Sequence, residues 1–355
     1  NKQFLLFLAA VIAAVDDNAA LLRLSASNPG NDHRLGANEA PPAIISIFLG
    51  EQLEDIVEQI LENGTASHSN KGEKMDIGVH TILPIKKDAT DRNRTSPFAF
   101  TGNKFEFRMV ASSMSIAGAN TVLNATVADV LQTMADKLEK ADDFDKAVDE
   151  VIYETLKAHR KVIFNGNGYS DEWIAEAERR GLPNVKTMVD ATASLFDPKT
   201  IEMFERQHVF NKTELESRAE INYEAYAKAI NIEAKTMIEM ASKQYIPAVI
   251  SYVTSLADSI NSISAACAEA DLSVQKDLLT KCSSLLAEAQ KALNDLVAAD
   301  AKANSMEEGK EQAEFFKDTV FTTMASLRAP IDKLEMLVDK EYWPVPSYGD
   351  MLFEV

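Results

Sequence analysis

A long helical periodicity in the second half of the chain is the feature that most restricts its fold. From Thr213 onward, apolar side chains recur at steps of three and four residues, which places them on one face of a long helix. This face consists of Leu215, Ala219, Tyr223, Tyr226, Ile230, Ala234, Met237, Ala241 and Tyr245. We expect Pro247 to break or kink the helix, because proline has no amide hydrogen to donate.

Further apolar stripes follow this helix. They comprise Ile250, Val253, Leu256 and Ile260, then Leu278, Cys282, Leu285, Ala289, Leu293 and Leu296, and finally a run over 315–338 that we expect Pro330 to interrupt. Such stripes are typical of helices that pack on one another, so they predict a helical bundle with a packing role.

The first part of the chain, up to about residue 125, has a different character. Short β-like runs at 43–48, 79–85 and 104–110 alternate with loops rich in Asn, Gly, Pro and Ser, which indicates mixed α and β structure. The apolar run at 4–15 is too short to span a bilayer and has two interpretations, a buried helix or the core of a signal peptide. We favour the buried helix.

Charge and cysteine content exclude several classes of protein. The formal net charge of −19 opposes binding to nucleic acids and to anionic membranes, so we expect a cytoplasmic protein with neither partner. Two cysteines, Cys267 and Cys282, are too few for a disulfide framework, and no cysteine and histidine spacing predicts a zinc site.

One junction is well marked by turn and capping residues. The run Asn-Gly-Asn-Gly at 165–168 predicts a turn. Ser170 can cap a helix that has Asp171 and Glu172 in its first turn and that ends at Gly181. We interpret this segment as a capped surface helix.

A basic island in this acidic chain is the best candidate for chemistry. Six basic residues and three acidic residues lie between 86 and 108, a local charge of +3 that indicates an anion site. At its end, Lys104, Glu106 and Arg108 alternate with apolar residues, as on two faces of a strand. The charged face is either a wetted strand face or the lining of a site for phosphate and a divalent ion.

A second stretch, 31–42, has the composition of a loop. Arg34 and Glu39 flank Gly36, and two prolines follow. The spacing favours a surface turn, with a mobile lid as the alternative.

Together the two stretches resemble the glutamine synthetase family. Its pattern is Asn-Pro, an arginine, Gly-x-Glu-Ala-Pro, then Asn-Arg-Ser/Thr and Arg-x-Glu-x-Arg. Here the pattern reads Asn28-Pro29, His33-Arg34, Gly36-Ala37-Asn38-Glu39-Ala40-Pro41, Arg92-Asn93-Arg94-Thr95 and Lys104-Phe105-Glu106-Phe107-Arg108. The sequences of segments 33–46, 93–109, 164–173 and 342–348 resemble those of the type III branch. The resemblance extends over essentially the whole chain.

The resemblance implies a role for six residues. Glu39 would be a catalytic residue that closes over the glutamate pocket and takes a proton from ammonium. Arg34 and Arg108 would bind substrate, and Arg94 would contact phosphate and support phosphoryl transfer. Lys104 would contact ATP, and Glu106 would bind a metal ion, Mg²⁺ or Mn²⁺.

Some positions depart from the family pattern. The gap between Arg34 and Glu39 is one residue shorter than in the bacterial type I pattern, and Ala99 stands near the place of a further family arginine. Residues 50–91 look like an insertion. We expect the paired glutamates for the other metal ion and the N-terminal domain to lie upstream of this chain.

The resemblance also implies a fold, a reaction and an assembly. Residues 1–128 would be the C-terminal part of an α+β catalytic domain with a barrel-like antiparallel sheet, and 129–355 a helical type III domain. The enzyme would ligate ammonia to L-glutamate with ATP, through γ-glutamyl phosphate, in hexameric rings stacked as a dodecamer. The alternative is a non-catalytic assembly or regulatory protein derived from the family, and we expect the isolated chain to be inactive.

Overall fold

The computed structural model describes residues 1–37, 40–69, 74–75, 85–86 and 93–353, with the backbone alone at 74–75, 85–86, 348 and 353. The chain is mostly helical, with one small three-stranded sheet and one two-stranded sheet among the described residues. It divides into two compact units, Asn1–Asn222 and Tyr223–Val355.

The first unit contains helices and all the described strands. The helices are α1 (Lys2–Asp17), α2 (Ala19–Ser25), α3 (Pro29–Arg34), α4 (Glu51–Asn63), α5 (Ala117–Leu138), α6 (Phe144–His159), α7 (Asp171–Arg179), α8 (Met188–Thr192) and α9 (Pro198–Arg206), with 3₁₀ turns at Arg160–Val162 and Ala193–Phe196. The strands are β1 (Ile47–Phe48), β2 (Lys74–Met75), β3 (Ile85–Lys86), β4 (Phe98–Thr101) and β5 (Lys104–Phe107).

Helix α1 is a core element of the first unit. It is capped by Asn1, whose side chain accepts a hydrogen bond from the Gln3 amide, and it packs against α5 and α6. Its buried residues are Leu8, Ala9, Ala10, Ile12, Ala13, Ala14 and Val15. The prediction of a buried helix at 4–15 is therefore confirmed. No single helix in the described residues meets the length and hydropathy needed to cross a bilayer, although α1 and α2, bent by 81°, meet them as a pair.

Strand β4 is the centre of the three-stranded sheet. It runs parallel to β1, with Ile47 opposite Phe98, and antiparallel to β5, with Phe98 opposite Phe107. A two-residue turn joins β4 to β5, and Gly102 adopts a φ of 64° there, which glycine permits without a steric cost.

The predicted strands are shorter than expected. The strand at 43–48 has two paired residues in β1, and Ile44 forms an isolated bridge to Asn184. The strand at 104–110 ends at Phe107, and β4 was not predicted at all. The run at 79–84 lies outside the described residues, and Ile85 begins β3.

The second unit is helical throughout its described part. Its elements are the greater part of α10 (Lys212–Met240), a π turn (Ala241–Tyr245), α11 (Ile246–Ala266), α12 (Ser273–Asn304), α13 (Lys310–Phe315), a second π turn (Phe316–Val320), α14 (Phe321–Glu335) and α15 (Tyr348–Phe353). Helix α12 packs against both α11 and α14.

The two prolines act differently from each other. Before Pro247 the helix widens into the first π turn, in which the Ile246 amide donates to the Ala241 carbonyl, five residues back. Pro330 was expected to interrupt its helix, and this prediction was wrong, because α14 continues through the buried Pro330.

The predicted apolar stripes are buried to different extents. On α10, Leu215, Ala219, Ile230 and Ala234 are almost fully buried, as the periodicity predicted. On α11, Ile250 is 50% exposed, so the stripe beyond Pro247 is only partly covered by the described residues of its unit.

Candidate functional site

The charged face of β5 forms as the alternation predicted. Lys104, Glu106 and Arg108 share one side, and the Lys104 Nζ and Arg108 Nη2 atoms lie 3.7 and 3.1 Å from the Glu106 carboxylate. On the other side, Phe105 and Phe107 both pack on the ring of Phe98, at centroid distances of 5.3 and 5.8 Å. The aromatic face thus fixes the direction of the charged one.

Glu106 is ionised and partly accessible. Hydrogen bonds from Thr101 and Arg108, with the nearby charges of Arg108 and Lys104, hold the pKa of its carboxyl below the usual value. Its side chain is 34% exposed. The carboxylate oxygens can therefore meet a ligand from solvent while two cations stand beside them.

Arg34 is brought to the same sheet by α3. Asn28 caps this helix by accepting from the Asn31 amide, and Pro29 occupies its first turn. The buried Asn31 side chain donates to the Met109 carbonyl at 2.9 Å, and Arg34 Nη1 donates to that same carbonyl at 3.3 Å. Arg34 is thereby held next to the residue that follows Arg108.

A buried ion pair between α2 and α3 holds α3 in place. Arg23, 1% exposed, donates to the Asp32 carboxylate at 2.8 Å and to the Val185 and Lys186 carbonyls. Burial raises the pKa of the Asp32 carboxyl, and hydrogen bonds from the Met188 amide and Arg23 oppose that shift. The pair fixes α3, and with it Arg34, against α2 and the start of α8.

Arg94 lies on the loop 93–95, which precedes β4. Its side chain is exposed, and among the described residues no ion-pair partner is observed for it. The Arg108 guanidinium donates to the main-chain carbonyl of Asn93. The two arginines are therefore connected through one residue of backbone, and they lie at the same end of β4 and β5.

Several predicted residues lie outside the described part of the chain. Glu39 is one of them, together with Lys87 and Arg92 of the basic island. The turn before Glu39 is described at Gly36, where φ is 76° and the amide donates to the Pro41 carbonyl at 2.9 Å. Whether 31–42 is a lid or a surface turn stays a prediction.

The described residues offer a divalent ion a single ligand at this site. An ionised, accessible carboxylate such as Glu106 suits a hard cation that prefers oxygen. Within the described ranges, the one group of three or more ligating side chains with ligand atoms within 4.8 Å of one another is Asp16, Asp17 and His159, away from Glu106. Among the described residues, Glu106 can therefore supply one ligand to such an ion.

Sequence reasoning missed the support of the loop 93–95. Asn93 and Thr95 hydrogen-bond to the turn at 165–168, with distances of 2.8 Å from Asn93 Nδ2 to the Gly166 carbonyl and from the Gly168 amide to Thr95 Oγ1. The two glycines signalled a turn, but no local pattern names a partner that is 73 residues away.

Comparisons with known proteins support the resemblance. A family model described as the glutamine synthetase C-terminal domain matches residues 147–264. The chain is 42% identical to a glutamine synthetase of Butyrivibrio fibrisolvens, over 100% of this chain and 51% of that protein. It is 40% identical to a type-3 glutamine synthetase of Dictyostelium discoideum, over 99% and 49%, and 38% identical to a glutamine synthetase of Bacteroides fragilis (strain YCH46), over 99% and 50%.

These matches confirm the resemblance to the glutamine synthetase family that the sequence motifs indicated. One of the similar proteins is named a type-3 glutamine synthetase, in agreement with the predicted resemblance to the type III branch. The chain spans about half the length of the curated relatives it matches.

Proposed function

We propose that the complete protein containing this chain ligates ammonia to L-glutamate with ATP and forms L-glutamine. The observation that carries the proposal is the ionised Glu106 between Arg108 and Lys104, with Arg34 held at the neighbouring Met109 carbonyl. Similarity to glutamine synthetases over the whole length of this chain supports the same conclusion. A carboxylate flanked by an arginine and a lysine, with a further arginine on the neighbouring backbone, suits a reaction that handles phosphate and carboxylate groups together.

The proposed reaction has two steps. The γ-phosphoryl group of ATP is transferred to the γ-carboxylate of glutamate, which gives γ-glutamyl phosphate and ADP. Ammonium then loses a proton, and the resulting ammonia displaces phosphate to give glutamine. Phosphoryl transfer of this kind depends on positioning and on cations placed around the developing charge.

The arginines and Lys104 supply these cations. Arg34 and Arg108 would bind the substrate carboxylate or nearby phosphate oxygens, because a guanidinium can donate two parallel hydrogen bonds to such groups. Arg94, exposed on its loop, would contact the transferred phosphoryl group, and Lys104 would contact ATP. Glu106 would hold a divalent ion, Mg²⁺ or Mn²⁺, which neutralises phosphate charge when bound.

Glu39 completes the proposal through the family resemblance. It would close over the glutamate pocket, exclude water from the acyl phosphate and accept the proton from ammonium. Gly36, with its positive φ, stands three residues before it and provides a backbone conformation suited to a turn at the base of such a lid.

The larger context is also proposed from the family. The small sheet would be part of a barrel-like antiparallel sheet completed by other parts of the protein, and the helices of the second unit would form a bundle. Hexameric rings stacked as a dodecamer and a cytoplasmic location belong to the same proposal. The isolated 355-residue chain is expected to be inactive, and turnover by it would contradict the assignment of further ligands to other segments.

An assay of the complete protein tests the proposal. It should form γ-glutamyl hydroxamate from glutamate and hydroxylamine only when ATP and a divalent ion are present. Folded, correctly assembled protein without turnover would instead favour the non-catalytic assembly or regulatory alternative.

Two variants and one control sharpen that assay. Glu39→Ala should slow synthesis by at least about 100-fold while ATP binding is largely retained, because it removes a proton acceptor. Glu106→Gln should raise the divalent-ion concentration needed for half-maximal activity. Glu139→Gln changes an exposed glutamate at the end of α5 and should behave as wild type. Equal loss of ATP affinity in Glu39→Ala would show that Glu39 is structural.

A further inference from the structure

The loop 93–95 is docked onto a turn that belongs to a distant part of the sequence. Asn93 Nδ2 donates to the Gly166 carbonyl at 2.8 Å, and the Gly168 amide donates to Thr95 Oγ1 at 2.8 Å. Asn93 Oδ1 accepts from the Thr95 amide at 3.0 Å and lies 2.7 Å from Thr95 Oγ1. Because Thr95 Oγ1 accepts from the Gly168 amide, its own hydroxyl proton is donated to Asn93 Oδ1. Each donor in these hydrogen bonds therefore has an acceptor.

Gly168 has no room for a side chain at this contact. A Cβ atom on it would lie 2.7 Å from the Thr95 carbonyl oxygen and 3.3 Å from Thr95 Oγ1. The close neighbour is a main-chain atom, which cannot rotate away as the end of a side chain can. Glycine is required at 168 by the approach of the loop.

The turn is itself anchored firmly within the first unit. The Asn165 side-chain oxygen accepts from the amides of Leu49 and Gly50, at 2.9 and 3.1 Å, just after β1. On its other side, the Phe164 ring stacks on the buried Trp173 of α7 at 3.7 Å. The turn therefore has a fixed position relative to the sheet that carries the charged face.

The loop transmits this position to the two arginines of the candidate site. Arg94 lies between the two docked residues, Asn93 and Thr95. The carbonyl of Asn93 accepts from Arg108, whose guanidinium also contacts Glu106 at 3.1 Å. A displacement of the loop would move Arg94 directly and would remove a hydrogen-bond partner from Arg108.

We propose that the turn at 165–168 positions Arg94 and Arg108 for anion binding, with Thr95 and Gly168 as positioning residues. The kinetic consequences of this inference rest on the proposed function, whereas the hydrogen bonds from which it is argued are independent of that function. The inference assigns the turn at 165–168 a role in the site, while α7 that follows is capped by Ser170 and has Asp171 and Glu172 in its first turn, as the sequence predicted.

Matched variants of the complete protein test the inference. Thr95→Val keeps the side-chain shape but removes the acceptor for the Gly168 amide, and Thr95→Ser keeps the hydroxyl. Gly168→Ala forces the loop away from the turn. Asn167→Ala is the control, because the exposed Asn167 side chain accepts only from the nearby Tyr169 amide among the described residues.

We expect Thr95→Val and Gly168→Ala to raise the KM for ATP and the inhibition constant of inorganic phosphate by about tenfold, because small misplacements of binding groups are costly. Thr95→Ser should restore most of the affinity, and Asn167→Ala should match wild type. A purely structural role would instead lower the thermal midpoint or the active fraction and leave KM unchanged, which would overturn the inference.

Calorimetric titration of ATP separates this inference from the proposed function. If wild type binds ATP but forms no glutamine, the proposed function fails, while weaker binding by Thr95→Val and Gly168→Ala still supports the positioning role. Equal ATP affinity in wild type and both variants overturns that role whatever the turnover. Absence of ATP binding by folded wild type contradicts both.

Discussion

At the scale of single residues, a buried aspartate at the end of α1 depends on cations from the α6 end. The Asp16 side chain is 3% exposed, its Oδ2 atom lies 2.8 Å from His159 Nδ1, and Lys161 Nζ is 3.5 Å from Oδ1. The hydrogen bond to Asp16 and the neighbouring charges of Asp17 and Asp16 raise the pKa of His159. Protonated His159 thus neutralises a carboxylate that burial would otherwise penalise.

This pair predicts a pH dependence of stability. Because the folded pKa of His159 lies above its unfolded value, its stabilising contribution is full below about pH 6.5 and is lost as the pH rises through the folded pKa. Urea unfolding between about pH 5.5 and 8.5 should show the loss.

The variant His159→Asn should remove that pH dependence. His208→Asn is the control, since His208 is exposed and has a φ of 55°, which asparagine also tolerates. Identical pH profiles for wild type and His159→Asn would contradict the prediction.

The buried pair of Arg23 and Asp32 predicts a large effect of one substitution. Asp32→Ala leaves the Arg23 guanidinium buried without its counter-ion, so the free energy of unfolding should fall by about 3 kcal/mol. Glu150→Ala removes the partner of Lys146 in an exposed pair and should cost less than about 1 kcal/mol. If urea denaturation showed that Asp32→Ala lowers the free energy of unfolding as little as Glu150→Ala does, Arg23 would have to be stabilised by its other partners.

The alternation of residues predicted part of the site and left its supports unseen. It placed Lys104, Glu106 and Arg108 on one face because side chains alternate along any strand. The contacts of Asn31 and Thr95 were not predictable, because each joins segments more than 70 residues apart through main-chain atoms. Such contacts produce no periodic pattern of residue types in the sequence.

At the scale of secondary-structure elements, α7 shows how local capping supports a longer contact. The Ser170 side chain accepts from the Trp173 amide at 3.2 Å and fixes the first turn of the helix. Trp173 in that turn is 1% exposed and carries the stacked ring of Phe164. The capping residues were predicted from the sequence, and the burial of the helix against the turn was not.

Removal of this cap should measurably destabilise the first unit. Ser170→Ala removes the side-chain acceptor of the Trp173 amide and leaves it only the Ser170 carbonyl, so the free energy of unfolding should fall by about 1 kcal/mol. Ser255→Ala, at an exposed position inside α11, should have no destabilising effect, because alanine favours a helix interior. Chemical denaturation of both variants provides the measurement, and equal stability of Ser170→Ala and wild type would exclude a role of the cap.

Helices with a regular spacing of apolar residues were predicted best. The burial of α1 and of one face of α10 followed directly from apolar spacing. Strand β4 was missed because four residues give too short a pattern, and its place is decided by pairing with β1 and β5. Pro330 was misjudged because packing of α14 on α12 outweighs the loss of one helical hydrogen bond.

At the scale of the whole molecule, the two cysteines report on the second unit. Both are free thiols, Cys267 exposed and Cys282 fully buried on α12. Burial raises the pKa of the Cys282 thiol, which reduces its thiolate fraction as well as its access to reagents. Reaction at Cys282 thus requires the helices around it to open.

Thiol labelling of the native chain should therefore be biphasic. Of the two thiols in this sequence, an aromatic disulfide reagent should modify Cys267 rapidly and Cys282 only at the rate of opening, which urea should accelerate. Cys267→Ser should eliminate the rapid phase and leave the slow one. Two equally rapid thiols in native protein would contradict the burial of Cys282.

The predicted domain boundary at 128 and 129 follows from the family resemblance, and the character of the sequence changes nearby, at about residue 125. The structure forms compact units on either side of residues 222 and 223, and helices α5 to α9 belong to the first. Composition does not show which helices cover the apolar surface of α1; in the structure α5 and α6 pack on it. The predicted boundary at 128 and 129 stays a prediction.

The π turn before Pro247 has an evolutionary consequence. A π turn contains one more residue than the α-helical path that it replaces, so insertion of a single codon into a regular helix would produce it. The inserted residue rotates everything downstream by about 100° around the helix axis, and proline then tolerates its place because the hydrogen-bond ladder is already interrupted. We expect homologues without a proline at 247 to lack one residue within 241–245, so that the extra residue and the proline occur together.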